Sequence, residues 1–573
     1  MKGIKTLLGS VITASLLAAT PVWAAAPVVT QPKWYKPHES RDAKAKAKEE
    51  KHSRSITNIP KEMREALDKL VKQLPELKGL HLRSVEMTEE NGDHPEVWEF
   101  TLTEKKKGSM YDRDQVRAWI TIHAETGELY EYEYHNPDWA GTGDITEKTA
   151  KQKADEFLKK LFGSKKKDLV QKQVRIIEDD EDDDDDEEDN DDTTKRKSAY
   201  VLYERQIKGI PLIDFDVEVE LDGDGHVVAF ENQAYVSLEK VAFPNPKKAL
   251  SQKKAVKAYK ELVDMSLIYL FDSRKGHPVL AYEPDFYGPI DAFTGKKSPD
   301  LVYFEMQDPQ RVEIQPNGNP WVIRSREDAE ELLKQVFKLP VEDFEFEGEH
   351  DWGDDEDDDS GSISYYWETN QQPWGEVELE VDKKTGRVIW YDADFDTEVD
   401  SEPMITGEEA LQIASKTLEQ LISPNKQAVE LTYMHNPFAK EKTPDWVEED
   451  EEEEGPYYAR YTLYFSDLYQ DIPVAYSGYS IDVDPITSRV LEMDLDAEED
   501  LSDLPEPVDT ISPAEAEQAY VDHHPLTLFY LWPRYMGQIA PKPILLYGPK
   551  ETQDAYIDAF TGNVVDMEED FEE

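Results

Sequence analysis

The chain has 573 residues, no cysteine, and 125 acidic against 64 basic side chains, for a formal net charge of −61. The lack of cysteine excludes disulfides, thiolate zinc sites, cysteine catalysis and a lipid-modified N-terminal cysteine. The charge repels a phosphate backbone and so argues against nucleic acid as a partner; it favours a cationic partner, divalent cations, or plain solubility in salty or alkaline surroundings.

In chain order, Lys2 and Lys5 precede an apolar run, Leu7 to Ala19, and Val22-Trp23-Ala24 has the small-x-small form of a cleavage site. Residues 1–24 therefore read as a signal peptide cut after Ala24. The run is short and soft for a spanning helix, and no later stretch approaches ~18 apolar residues. The expectation is a secreted protein, extracellular or associated with the cell wall, with no stable membrane insertion after cleavage. Without disulfides, about 550 mature residues must be stabilised by core size, as two to four domains. Residues 25–57 are rich in Lys, Ala, Pro and Glu without apolar period, which predicts a mobile basic lead-in.

Beyond residue 57 the chain alternates one amphipathic helix with a few strands. Helices are predicted at Lys61–Leu74, Thr146–Phe162, Ser251–Leu262, Ser325–Phe337, Thr406–Ile422 and Ser512–Val521. Thr406 with Glu409, and Ser512 with Glu515, form capping boxes that satisfy orphan donors at a helix start. Ala410, Ile413, Ala414 and Leu418 then share one face. Hairpins are predicted where strands alternate about Glu125-Thr-Gly127, Asp222-Gly-Asp-Gly225, Phe293-Thr-Gly295, Lys384-Thr-Gly386, Asp484-Pro-Ile-Thr487 and Phe560-Thr-Gly562. Glycine at such a turn supplies the positive φ a tight hairpin needs. Three acidic runs, 179–192, 351–359 and 448–454, cannot pack against themselves and read as solvated insertions.

The chain also repeats itself. Arg205-Gln-Ile-Lys-Gly-Ile-Pro211, Leu250-Ser251, Ala255…Tyr259, Leu267-Ile-Tyr-Leu270 and Ile290-Asp-Ala-Phe-Thr-Gly295 recur in order. Their second copies are Ser466-Asp-Leu-Tyr-Gln-Asp-Ile-Pro473, Ile511-Ser512, Ala516…Tyr520, Leu528-Phe-Tyr-Leu531 and Ile557-Asp-Ala-Phe-Thr-Gly562. Each IDAFTG is read as closing its own block. The second copy lacks glycine at Asp471 and Ser488, which puts the geometry of those turns in question. A repeat of this length sets the architecture. The fold class is α+β: tandem units, each a helix packed on antiparallel strands, in two duplicated sets of three.

The capped helix Thr406-Gly-Glu-Glu-Ala410 and the hairpin Leu379-Glu-Val-Asp382…Thr385-Gly386-Arg-Val388 are similar to the PepSY module of peptidase propeptides and spore-germination proteins. The longer block, with Gly209-Ile-Pro211, Phe243-Pro244, Ala255…Tyr259 and Ile290-Asp291-Ala292-Phe-Thr-Gly295, resembles the YcdB/YcdC repeat of secreted Gram-positive proteins. The resemblance divides the chain into PepSY-like units at 58–143 and 321–403 and YcdB/YcdC-like repeats at 144–302 and 404–573, with a linker at 303–320. It implies an exported, non-catalytic protein that inhibits or escorts a peptidase or wall hydrolase. It supplies no functional residues.

No catalytic, cofactor-binding or metal-binding residues are assigned. The twelve histidines are scattered, no H-E-x-x-H occurs, and there is no G-x-S-x-G elbow or phosphate-cradling loop. His523-His524 follows a helix, where imidazoles interact well with the C-terminal dipole. Asp222-Gly-Asp-Gly225 hints at calcium, but the later ligands of an EF-hand are missing. Loose calcium binding by the acidic runs is the cation expectation. Asp291 and Asp558 precede equivalent Thr-Gly turns and are read as acceptors of turn hydrogen bonds. Trp367, Trp374, Trp390 and Tyr391 read as core or cross-strand aromatics. The leading reading is a binding protein for an exported peptidase or cell-wall hydrolase. The alternatives are a cation- or wall-associated acidic surface protein, and a hydrolase using carboxylates such as Asp291 or Asp558.

Overall fold

A computed structural model describes residues 59–567 apart from 89–94, 108, 110–113, 140, 180–195, 235–237, 239–240, 302–306, 317, 319, 353–360, 370–374, 396–403, 440–442, 448–458, 496–500, 502–503, 536–537 and 550–554. The expected signal peptide and basic lead-in, Trp374 and nearly all of the acidic runs lie outside the described residues. Each run lies in the connection between two antiparallel neighbours of a sheet.

The helices are α1 (Lys61–Gln73), α2 (Glu147–Phe162), α3 (Gln252–Lys260), α4 (Arg326–Gln335), α5 (Gly407–Leu421) and α6 (Pro513–His523). Their starts follow the capping logic. Thr146 accepts from Thr149 N and Ser325 from Asp328 N, and both capping boxes are formed at Thr406/Glu409 and Ser512/Glu515. Small and aliphatic residues spaced three and four apart are buried on each, such as Ala150, Ala154, Phe157 and Leu158 on α2 and Ala410, Ala414, Leu418 and Leu421 on α5.

The first set's strands are β1 (His81–Thr88), β2 (Val97–Thr103), β3 (Arg117–His123), β4 (Leu129–His135), β5 (Leu169–Asp179), β6 (Arg196–Ile207), β7 (Ile210–Pro211), β8 (Val217–Asp222), β9 (Val227–Asn232), β10 (Met265–Asp272), β11 (His277–Pro284) and β12 (Ile290–Asp291). Then come β13 (Gln310–Glu313), β14 (Glu345–Asp351), β15 (Ser362–Thr369), β16 (Gly375–Asp382), β17 (Val388–Phe395), β18 (Ala428–His435), β19 (Tyr461–Tyr469), β20 (Ile472–Val483) and β21 (Val490–Leu495). The last are β22 (Leu526–Leu531), β23 (Arg534–Tyr535), β24 (Gln538–Ile539), β25 (Ile544–Pro549), β26 (Ala555–Asp558) and β27 (Val564–Asp566).

In each set the first two units fuse into one sheet. The first runs β1-β2-β3-β4-β9-β8-β6-β5, and the second repeats the order as β14-β15-β16-β17-β21-β20-β19-β18. The seams are β4/β9 and β17/β21, where Tyr132 pairs with Phe230 and Tyr391 with Met493. One face of each sheet packs on its two helices. Phe100, Ile120, Tyr132, Val201 and Val219 face α1 and α2; Leu379, Tyr391, Leu463 and Ile481 face α4 and α5. Tyr391 stacks on Phe337 at 3.7 Å between ring centroids, and Trp367 is 2% exposed, as core aromatics should be. Trp390, its neighbour along β17, falls on the opposite face.

The third units correct the expectation that each block closes on itself. β12, the strand of the first IDAFTG, pairs with the second set's hairpin: Ile290 with Tyr547 and Asp291 with Leu546 on β25. Reciprocally β26, the strand of the second IDAFTG, lies on β11, with Ala281 opposite Asp558 and Tyr282 opposite Ile557. The helices follow the closing strands, α3 packing on β22 and α6 on β10, β11 and β26. The Ile-Pro segments cross over too: Leu212 bridges Tyr530, and Val474 pairs with Tyr269, both in parallel. The two sets have thus exchanged hairpins β10–β11 and β22–β25. The linking bonds occur twice, in matching positions. Ala292 N donates to Leu545 O at 3.0 Å and Ala559 N to Leu280 O at 3.1 Å. Tyr547 donates to Leu250 O at 2.9 Å and Tyr282 to Ile511 O at 2.8 Å.

The turns explain how the second copy manages without glycine. In four hairpins a bulge sits one residue before the turn, at Thr121/Ile122, Glu220/Leu221, Glu380/Val381 and Asp482/Val483. The left-handed position is then Gly127 (φ 65), Gly225 (φ 83), Gly386 (φ 72) and Ser488 (φ 60). Likewise Gln470 (φ 50) and Asp471 (φ 65) keep the turn that Lys208 and Gly209 make. Serine and aspartate bear a steric cost there that glycine does not. We expect Ser488→Gly to stabilise the protein by about 1 kcal/mol, read as a higher urea midpoint at unchanged slope.

Candidate functional site

The sequence-singled acids are committed to turns. Asp291 accepts from Phe293 N at 3.1 Å, Thr294 N at 2.7 Å and Thr294 Oγ1 at 2.8 Å. Asp558 repeats this with Phe560 N at 3.1 Å and Thr561 N and Oγ1 at 2.9 Å. They lie in different sheets, Asp291 beside β25 and Asp558 beside β11, and the pairing brings them into no common cleft. His524 Nδ1 lies 3.2 Å from Tyr520 O at the end of α6, and His523 Nε2 lies 3.1 Å from Asp566. The first contact is the helix-end role expected of this pair.

Among the described residues, Asp222, Asp224 and His226 form the one group of three or more acidic or histidine side chains close enough to share a metal ion. Several of their ligand atoms already have partners within the protein. Asp222 accepts from Asp224 N at 3.0 Å and His226 N at 2.8 Å and contacts His226 Nδ1 at 2.9 Å. Asp224 accepts from Gly141 N at 3.1 Å, and Trp139 stacks on the His226 ring at 4.0 Å. A Cβ on Gly143 would come within 2.5 Å of Gly223 O and Asp224 Oδ1, so the segment 139–143 and the turn 222–226 interlock through glycine contact. The cluster is a clasp between the first two units.

Sheet order assembles a feature that no linear motif shows. On the face away from the helices, Glu131 (β4) stands opposite Glu231 (β9), and Glu231 opposite Glu218 (β8). The second sheet repeats this as Asp392 (β17), Glu492 (β21) and Asp482 (β20), extended by Glu378 (β16). Directly opposed like charges destabilise a sheet. Partial burial, then Glu131 and Glu218, push the Glu231 carboxyl up to about 7. Burial, then Glu492 and Asp394, push Asp392 up to about 6. In the second ladder Arg460 reaches Asp482 at 3.2 Å and Glu492 at 3.0 Å. The alternation Leu129-Tyr-Glu-Tyr-Glu-Tyr134 already places Glu131 on a wet face, but its neighbour across the seam is visible only in three dimensions.

A further pair marks where the chain leaves each sheet for the exchanged hairpins. Arg205 and Asp467 occupy equivalent positions with opposite charge. Arg205 donates to Phe215 O at 3.0 Å and Asn232 Oδ1 at 2.6 Å. Asp467, 1% exposed, accepts from Ser477 Oγ and Tyr479 OH, both at 2.7 Å, and from Lys426. Each charge, half-buried at Arg205 and buried at Asp467, is caged by its own partners, so the position demands a satisfied polar group and tolerates either sign.

Comparison with known proteins adds the following. The family model described as the YcdB, YcdC repeated domain matches residues 46–234 and 326–495, together more than half of the chain. Each match takes in the two fused units of one set. Two solved structures are similar. The Bacillus megaterium YpeB C-terminal domain is 17% identical, covering 42% of this chain and 95% of that one, with a TM-score of 0.25. An uncharacterized protein from Eubacterium rectale is 12% identical, covering 55% of this chain and 98% of that one, also with a TM-score of 0.25. These overlaps are too low to inform the fold. No curated protein matches the chain.

Two outcomes follow for the buried and opposed charges. Asp467→Asn leaves Lys426 without its counter-charge, and we expect a loss of about 2–4 kcal/mol in chemical unfolding. Glu231 and Asp392 have folded-state affinities for protons above the unfolded value, so their contribution is full below the ordinary carboxylate range and is lost as pH rises through about 7 and about 6. Glu231→Gln should therefore match the parent in acid. At about pH 8 it should be more stable by about 1–2 kcal/mol, less than the full shift because water screens a partly exposed group.

Proposed function

The chain belongs to the YcdB/YcdC repeated-domain family, and on that premise we propose that it is a non-catalytic binding protein, exported from the cell, that restrains or escorts an exported peptidase or cell-wall hydrolase. The observation that carries this reading is how the repeated motif spends its polar groups. Asp291, Asp382, Asp484 and Asp558, with their following threonines, are used to close turns, as catalytic or ligating acids would not be. The duplicated sequence therefore preserves a scaffold. The signal-peptide reading of residues 1–24 supports export. No described helix is long and apolar enough to cross a membrane.

The sheets offer a docking mode. β1 and β5 end the nine-stranded sheet, and β14 ends one side of the second, so each has a backbone edge with no strand on its outer side among the described residues. An extended segment of a partner adds to such an edge through main-chain hydrogen bonds. A second reading, a cation- or wall-associated surface protein, draws on the two acidic ladders and the net charge of −61.

Affinity capture from the native culture fluid, followed by enzyme assays, separates the two. We expect recovery of a peptidase or wall hydrolase whose activity changes saturably, near one-to-one stoichiometry, when this protein is added. Recovery of wall material alone, with no enzyme and no change in activity, supports the second reading and overturns the first.

A further inference from the structure

The fused sheets of the two sets match strand for strand except at one edge. In the second sheet the outer edge of β18 is covered by β13, a short strand of the segment that leads into that set, with Val312 opposite Val429 and Glu313 opposite Ala428. The equivalent edge, that of β5, has no strand on its outer side among the described residues. The ladders inside fix the equivalence. Leu169 pairs with Arg205 as Val429 pairs with Asp467, and each strand bulges two residues later, at Gln171/Gln173 and Leu431/Tyr433. Val170, 43% exposed, and Ile177, 40% exposed, stand on this uncovered strand.

A sequence matching the covering strand precedes the first set as well. Before the second set, Val312-Glu-Ile-Gln-Pro316 is followed by Trp321 and the buried Ile323. Before the first, Val28-Val-Thr-Gln-Pro32 is followed by Trp34 and the buried Ile59. We propose that residues 26–30 of the lead-in add to the edge of β5 as an antiparallel strand, with Val28 opposite Leu169, as β13 adds to β18. The inference is independent of the restraining role above, and it leaves β1 and β14 as the edges open to a partner.

The register selects this occupant. Ile314 N donates to Gln427 O at 3.0 Å, so the amides of Gln310, Val312 and Ile314 face β18 while those of Arg311 and Glu313 face outward. Pro27, which has no N–H, takes the outward place of Arg311, where an edge strand tolerates proline. Across the ladder Arg311 stands opposite Glu430; the matching pair is Pro27 and exposed Val170, so both members are charged in one copy and apolar in the other. Val312 and Ile314 pack on the core of the second set, and Val28 and Thr30 bring β-branched side chains to the same face. One bond is not repeated: Gln315 N donates to Glu419 Oε1 at 2.8 Å, whereas α2, aligned on the caps Thr146 and Thr406, carries Lys159 at that place. The tether is sufficient. Residues 33–58 extend to roughly 85 Å, against about 35 Å across the strands of the first sheet, and the entropy of closing a loop grows only with the logarithm of its length.

The chain has no cysteine, so an introduced pair reports the contact without background. In the chain from residue 25 onward, Pro27→Cys with Val170→Cys occupies a non-hydrogen-bonded pair, whose short Cα separation suits a disulfide. Arg311→Cys with Glu430→Cys is the same pair on β13 and β18 and sets the reference rate. Pro27→Cys with Glu86→Cys, on the opposite edge strand β1, measures a loose tether. Under mild oxidation in dilute solution we expect the Pro27/Val170 pair to close within one chain at least tenfold faster than the Pro27/Glu86 pair. Val28→Pro, which removes an amide aimed at β5, should slow that closure at least tenfold, and unchanged melting curves of the reduced proteins will show that the variants fold. Equal rates for the two pairs, no effect of Val28→Pro, or crosslinks formed only between chains, which would put a second copy on this edge, overturns the proposal.

Discussion

Two short strands decide the architecture. Ile290–Asp291 and Ala555–Asp558 each complete a sheet that the other copy began, and the third units are held to one another by that reciprocity. The individual bonds are ordinary, each contributing on the order of 1 kcal/mol net. Their effect is large because they close over a common core. Tyr259, Tyr269, Ile290, Tyr520, Tyr530 and Ile557 belong to one buried cluster drawn from both copies. The hydroxyl of Tyr547 reaches Leu250 O across 297 residues of sequence. A chain joined this way cannot treat residues 303–320 as a free hinge. Pairings this far apart in sequence carry a large loop-closure entropy.

The helices and turns were legible because their signals are local. A capping serine or threonine, an apolar period of three and four, and an Asp-x-x-Thr-Gly turn each act over a few residues, so Thr406, Ser512, Asp291 and Asp558 do what their neighbours predict. The exchange was not legible for an equally physical reason. β11 and β25 both carry a tyrosine before their final proline, Tyr282 and Tyr547, and the IDAFTG strand can pair with either. Local chemistry is degenerate between the copies, and the choice is made by how the connections run through the whole molecule. The acidic ladders lie between these cases: alternation shows that Glu131 and Glu231 face water, and only the seam shows that they face each other.

Duplication has also let charge diverge on a fixed frame. Arg205 and Asp467 stand at one position with opposite sign, each with its own cage. Lysines line α3 where acids line α6, and the helices meet through Lys260 and Glu517. On exposed positions such changes cost little, whereas at the caged position each charge came with its own set of partners. In both copies the Asp-x-x-Thr groups close turns, while charge differs between the copies at the caged Arg205/Asp467 position and on the exposed faces of α3 and α6.

The most direct measurement is hydrogen exchange on residues 25–302 and 321–573 made as separate chains, alone and mixed. Reciprocal exchange of hairpins predicts a one-to-one complex, in which the amides of Ala292 and Ala559 are protected only after mixing. Two monomeric halves that ignore each other, each already protecting its own alanine amide, would contradict the account.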